Sequence, residues 1–304
     1  MTGTALILGP NGRFGRHVAN ALAQRGWTLR RFDRQNDDLD RAAEGADLIV
    51  NGWNPAYPDW AAQLPGQTAA IRRAAERSGA TVLVPGNVYV FGPEAPERLG
   101  PETPHRAHNP LGRLRIEMEQ SWRDSNVQVI LLRCGDFLDD AASGNWFDRV
   151  MAPKLTRGVL TYPGRADIPH AWAYLPDVAR AAADLVERRG ALPRFAEIPF
   201  PGHTLTGQAL GELCAAALGR PVRIERFAWW QLALATPFWP MARHLREMRY
   251  LWDMPHWLEG ETLAASLPDF RATSPAEAVG SAVGAALADR AGQPSGAMSA
   301  QTSR

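Results

Sequence analysis

Short apolar runs alternate with amphipathic stretches along the first half of the chain. Ala5-Leu6-Ile7-Leu8, Asp47-Leu48-Ile49-Val50, Thr81-Val82-Leu83-Val84 and Val127-Gln128-Val129-Ile130-Leu131-Leu132 are brief and aliphatic, which predicts buried strands. Between them, Val18, Ala19, Leu22 and Ala23 recur at helical spacing, and helices are expected from about Trp60 to Arg77 and from Pro110 towards Arg123. Proline at the first position of the latter suits a helix start. Such alternation predicts an α/β fold with a doubly wound parallel sheet, helices lying on both faces. Residues 93–110 are rich in proline and read as loop. Beyond Gly135 the alternation breaks. His170 to Tyr174 reads as a strand, Pro176 to Arg188 as a helix, and residues 195–287 as mixed short elements. Residues 288–304 are small and polar and are expected to form a disordered tail.

The first strand runs into Gly9-Pro10-Asn11-Gly12-Arg13-Phe14-Gly15 and then into the first helix. Glycines at this spacing let the backbone turn tightly and lie close to a phosphate, and the helix N-terminus offers free N–H groups and a positive dipole end. An ordinary strand-to-helix turn has the same glycines. The context favours a dinucleotide site, because a second apolar segment, Trp27 to Phe32, ends in Asp33, where an adenosine ribose would be hydrogen-bonded. The next strand ends in Asn51, followed by the loop Gly52-Trp53-Asn54-Pro55-Ala56-Tyr57-Pro58 at the sheet edge where ligands sit.

Composition narrows the function. A net charge of +1 with 21% charged residues excludes the basic face of a nucleic-acid binder. No apolar run is long enough to span a membrane, and residues 1–8 lack a basic leader segment, so neither spanning nor export is expected. Two cysteines, Cys134 and Cys214, have no metal-like spacing, which makes a reducing cytoplasm the default. Of the eleven tryptophans, several cluster between Phe227 and Met241. That stretch reads as core or as the wall of an apolar pocket, with a membrane-surface patch as the alternative.

Taken together the chain resembles an extended short-chain dehydrogenase/reductase of the epimerase/dehydratase branch, over roughly residues 3–285. The resemblance rests on the G-x-x-G-x-x-G turn, Asp33, and Val90-Phe91-Gly92 after the fourth strand. It extends to Leu132-Arg133-Cys134-Gly135-Asp136 and to Tyr174-Leu175-Pro176-Asp177-Val178-Ala179. Near the end, Tyr250 to Asp253 and Leu267 to Pro275 resemble the family's closing segment. It implies a Rossmann-like NAD(P)-binding domain over 1–135, its sheet completed by 168–190. A smaller, discontinuous C-terminal substrate domain would comprise 136–167 and 191–287. The family's strand beyond the acidic second-strand end is missing, leaving only Asp37-Asp38-Leu39. A small-molecule substrate is implied, and a homodimer is left open.

The family's catalytic positions carry other residues. Its Ser/Thr position falls on Asn87, its Tyr on Leu111 and its Lys on Arg115. Leucine donates no proton, while arginine keeps its charge and can still bond a ribose. Candidates for the chemistry are Asn87, Tyr89, Arg115 and Asp136. Tyr89 would face the same way as Asn87 in extended backbone, or be a packed aromatic. Asp136 would serve as base or substrate partner, or cap a helix. His170, where a nucleotide-sugar phosphate would meet an arginine, and His105 and His108 are weaker candidates, and a nucleotide-sugar substrate is not expected. Candidates for the cofactor are Gly9, Asn11, Gly12, Arg13, Phe14, Gly15, Asp33, Arg34, Asn51, Trp53 and Arg115. Asp33 favours NAD, Arg34 and Arg13 would suit NADP, and the balance leans to NAD. The leading reading is an NAD(P)-dependent oxidoreductase or epimerase-like enzyme; the alternative is a non-catalytic NAD(P)-binding redox sensor.

Overall fold

The computed structural model describes residues 2–292. Its first part contains β1 (Thr4–Leu8), α1 (Arg13–Gln24), β2 (Thr28–Arg31), α2 (Leu39–Ala42), β3 (Leu48–Asn51), α3 (Trp60–Ser78) and β4 (Thr81–Gly86). Next come β5 (Arg98–Leu99), α4 (Pro110–Arg123), β6 (Val129–Arg133), β7 (Asp136–Leu138), β8 (Val159–Tyr162), β9 (Pro169–Tyr174) and α5 (Leu175–Glu187). The chain closes with β10 (Phe195–Pro199), β11 (His203–Thr206), α6 (Gly207–Leu218), β12 (Arg223–Arg226), α7 (Trp229–Ala235), α8 (Pro240–Glu247), β13 (Trp257–Leu258), α9 (Glu261–Ser266) and α10 (Pro275–Gly292).

Six strands form one parallel sheet in the order β10-β6-β4-β3-β1-β2. The side chains alternate as strand geometry demands. Ala5, Ile7, Leu48, Val50, Ile130 and Leu132 pack under α1 and α5. Leu6, Leu8, Ile49, Val82, Val84 and Val129 pack beneath α3 and α4, against Ile71, Ala74, Ala75, Met118 and Trp122. Strand order reverses between β1 and β3, so the crevice for a ligand opens beyond their carboxyl ends. With the expected outer strand missing, β2 is the edge of the sheet.

The strand that completes this sheet is β10, not the expected segment 168–190. β9 pairs instead with β7 and β11 in a separate three-stranded sheet. Only α5, from the same segment, joins the sheet's helical layer. Pairing decided the matter: β10 brings Ala196 and Ile198 into the core beside β6, whereas Trp172 of β9 belongs to a second core. That second core gathers Phe147, Met151, Leu155, Leu160, Tyr162, Leu210, Trp252, Val279 and Val283. The two parts are tied by Asp177 of α5, which accepts hydrogen bonds from the Thr273 amide and hydroxyl at 2.7 Å each.

Residues 288–292 of the tail expected from Ala288 are helical, forming the end of α10; residues 293–304 of that expectation lie outside the described residues. The Trp-rich stretch also differs from expectation. Trp229 and Leu232 pack inward, but Trp230, Leu234, Phe238 and Trp239 are exposed.

Candidate functional site

The glycine turn is shaped by close backbone approach. Gly9 has φ +68, in the left-handed region that favours glycine, and a Cβ there would lie 2.7 Å from the Gly52 carbonyl. A Cβ at Gly15 would strike the Gly9 carbonyl, and one at Gly52 would meet the Leu8 carbonyl at 2.5 Å. The glycines therefore let β1, α1 and the loop after β3 converge. The Gly12 amide donates to the Gly9 carbonyl at 3.0 Å. Helix α1 then starts with no side-chain cap and no acidic residue in its first turn. Its leading N–H groups and dipole point at the crevice. Phe14 is buried and anchors the helix, while Asn11 and Gly12 are exposed at the mouth. Arg13 reaches sideways, its Nη2 donating to the Gly144 carbonyl at 3.1 Å.

At the end of β2, Asp33 is bound into its own loop. Its Oδ1 accepts from the Gln35 amide at 2.9 Å and its Oδ2 from the Asn36 side-chain amide at 2.7 Å. These bonds hold its carboxyl below the ordinary range, so it stays anionic at the crevice. Arg34 turns away towards α3, donating to Gln63 Oε1 at 3.2 Å. Asn51 is buried and its Oδ1 accepts from the Trp53 amide at 3.3 Å, while Trp53 packs edge-on against Phe32 at 5.4 Å.

The other half of the carboxyl edge, beyond β4 and β6, carries the proton-active groups. Asn87 uses its Oδ1 to accept from the Tyr89 amide at 3.0 Å, capping a tight turn over Val88–Phe91. Tyr89 is thus in a helical turn rather than the extended backbone expected of it, because the side-chain cap bends the chain there. Its hydroxyl meets that of Tyr57 at 2.6 Å. Burial raises the pKa of both phenols, for Tyr89 well above its ordinary value, with nearby Asp136 adding to the effect. Arg115 opposes it. That guanidinium is buried over the Trp60 ring at 4.2 Å, donates to Asn54 Oδ1 at 3.0 Å, and has its own pKa lowered by burial. Leu111, expected at the position of the resembled family's tyrosine, packs in the core.

Asp136 does not cap a helix. It opens β7 and its Oδ2 lies 2.8 Å from His170 Nε2. The His170 ring stacks flat on Trp252 at 4.3 Å and lies edge-on to His256 at 4.5 Å. His256 is fully buried, and burial pushes its pKa down to about 3.

Beneath the site, fully buried Arg133 bridges Glu119 (2.7 Å) and Glu197 (2.6 Å) and donates to the Asn87 carbonyl, which fixes the start of the catalytic-edge loop. His105 joins this cluster 3.8 Å from Glu119, and His108 is exposed; neither is placed among the proton-active groups. Three members of the site escaped sequence reasoning as individuals. Tyr57 and Asn54 lie in the loop after β3 that the sheet edge had marked out, and Trp252 lies in the Tyr250–Asp253 segment that resembles the family's closing stretch, but none was singled out as a site residue.

No protein-family model and no curated protein sequence matches the chain. Solved structures do. MoeE5, in complex with UDP-glucose and NAD, superposes with a TM-score of 0.72 at 15% identity, over 95% of this chain and 100% of that one. Human epimerase family protein SDR39U1, with NADPH, gives 0.72 at 16% identity over 93% and 99%. UDP-glucuronic acid 4-epimerase from Bacillus cereus, in complex with NAD, gives 0.71 at 11% identity over 94% and 99%. This chain has their fold. The architecture is the one that the glycine turn and strand alternation led us to expect, a Rossmann-like sheet with a smaller C-terminal part.

Proposed function

We propose that this chain binds NAD(P) along the glycine turn and acts as an oxidoreductase or epimerase-like enzyme on a small substrate. Residues 1–135 would carry the cofactor, and residues 136–167 with the segments after β10 would face the substrate. The observation that carries the reading is the Tyr57–Tyr89 hydroxyl pair, lying at the same carboxyl edge as the uncapped start of α1. The glycine cradle fits a pyrophosphate, since a side chain at Gly9 or Gly15 would close it. Solved structures of this fold with NAD or NADPH support that assignment. Asp33, anionic at the end of β2, suits ribose hydroxyls, and Arg34 is engaged elsewhere, so NAD is the preferred form.

When bound, NAD(P) would supply hydride transfer. The chain's own groups would handle the proton. Tyr89 stays protonated, so its hydroxyl acts as donor to a developing alkoxide, and Tyr57 replaces that proton through their shared bond. Arg115, fixed by Asn54 and Trp60, supplies a permanent positive charge beside the pair. Asp136, held by His170, orients a substrate hydroxyl. The arginine that would grip a diphosphate in the resembled family falls at His170, and on that ground a substrate other than a nucleotide sugar is our proposal. The UDP-glucose bound to MoeE5 makes that sugar nucleotide the first compound to test against the reading.

The deciding experiment titrates the protein with NADH and NADPH, following energy transfer from tryptophan to the reduced nicotinamide, and then screens carbonyl substrates for hydride transfer. Tight NADH binding with turnover that Tyr89→Phe abolishes is the expected result. If neither reduced cofactor binds, the reading fails. The second reading, a non-catalytic redox sensor, is favoured by Leu111 at the family's tyrosine position. It predicts binding with no turnover on any substrate.

A further inference from the structure

We propose that the α7–α8 hairpin is a docking surface for an anionic membrane. The large hydrophobic side chains exposed among the described residues are Trp230 (63%), Leu234 (68%), Phe238 (90%) and Trp239 (47%), and all four sit on this one hairpin. Trp230 and Leu234 are four residues apart and share a face of α7, while Phe238 and Trp239 form the turn into α8. A contiguous apolar tip of this kind marks an interaction site rather than ordinary surface scatter. The inward face is committed elsewhere. Trp229 packs on Trp146 and Phe227, Leu232 is buried, and Glu247 Oε1 accepts from the Leu111 amide at 2.7 Å, docking α8 on the start of α4. The hairpin is therefore held firmly from below with its aromatic tip outward.

Charge selects the occupant. Arg226, Arg243, Arg246 and Arg249 are all exposed around the tip. Between residues 226 and 249 the only acid is Glu247, and its carboxylate is spent on α4 and His244. A groove of about 360 Å³ beside the tip is lined by Trp229, Trp230, Ala233, Arg246 and Arg249. Arg246 donates only to the neutral Thr236 hydroxyl, whereas Arg249 has its Nε 3.4 Å from Asp253. An anion there would meet one guanidinium without an acidic partner and one it would share with Asp253. Aromatic and aliphatic side chains ringed by arginine suit the interface between acyl chains and anionic headgroups. A second copy of this chain fits less well, because a two-fold contact through the tip would set the same arginines against one another. No helix among the described residues is long and apolar enough to cross a membrane, so the association would be peripheral.

The test is sedimentation with vesicles of equimolar phosphatidylglycerol and phosphatidylcholine, compared with vesicles of phosphatidylcholine alone, together with sedimentation velocity of the free protein. Binding to the anionic vesicles, with a blue shift of tryptophan emission and loss at high salt, is expected. Trp230→Ser combined with Phe238→Ser should weaken it by at least about tenfold. The charge-only variant Arg243→Ala with Arg246→Ala, two exposed residues of which Arg246 makes one surface hydrogen bond to Thr236, should do the same while unfolding as wild type does. Equal binding to both vesicle types, or no binding to either, overturns the proposal. So does a dimer that Phe238→Ser dissociates in the absence of vesicle binding, which would make the tip a contact between copies.

Discussion

Tyr57 and Tyr89, from loops following different strands, share a hydrogen bond of 2.6 Å between their hydroxyls at the carboxyl edge of the sheet. The partly buried pair packs against Trp60, and the Arg115 guanidinium lies over that ring at 4.2 Å. The pair puts two phenolic protons at this edge of the sheet.

Replacing Tyr89 by Phe should lower turnover by about 10²–10⁴-fold, the range for losing a positioned general acid, while NADH binding stays unchanged. Tyr57→Phe should cost less. It also removes two influences that raise the Tyr89 pKa, so the alkaline limb of the rate profile should move to lower pH. Stopped-flow rates against pH for both variants check this, and an unmoved limb would remove Tyr57 from the relay.

Gly15→Ala places a methyl against the Gly9 carbonyl. Overpacking of this sort costs about 1–3 kcal/mol, and the shift of α1 away from β1 should abolish NADH binding. Urea melts combined with the fluorescence titration report both effects. Retained binding would show that the turn is not the pyrophosphate cradle.

Arg133 holds two buried carboxylates apart from solvent and from each other. Removing one partner of such a cluster costs about 3–5 kcal/mol, so Arg133→Met should show that loss in denaturant unfolding. Adding Glu119→Gln should recover part of it, because the remaining buried carboxylate, Glu197, keeps Arg123 as its partner.

His256 has its pKa pushed down from 6.5 to about 3 by burial and by His170 beside it. The unfolded chain therefore binds a proton that the folded one refuses between those values. Stability rises with pH across this window, and it falls as the medium is acidified from pH 6.5 towards 3. By pH 4 the loss assigned to this one group is about 3 kcal/mol. A His256→Gln variant, compared by urea melts at pH 7 and pH 4, should show a smaller acid loss than the parent.

Much of the framework was legible from periodicity. Strands β1, β3, β4 and β6 sit where short aliphatic runs had placed them, and α4 begins at Pro110 as its first-position proline indicated. These are local properties: the period of burial and the φ of proline or glycine act within a few residues. The glycine turn was readable because its glycine spacing is local and Gly15 is required by the nearby Gly9 carbonyl, although the Gly52 carbonyl that also demands glycine at position 9 comes from the distant loop after β3.

What the sequence by itself determined, then, is the parallel sheet and its glycine turn. Tertiary structure alone decided which strand completes the sheet, since β9 and β10 are both apolar and only their pairing partners distinguish them. It alone joined Tyr57 to Tyr89 and Asp136 to His170, contacts spanning 32 and 34 residues. It also turned part of the Trp-rich stretch outward, since Trp229 packs on the second core and Leu232 is buried while Trp230 and Phe238 face away. Residue type sets what a side chain can do, but its partner is set by which loops the sheet brings to one edge, and no local pattern encodes that.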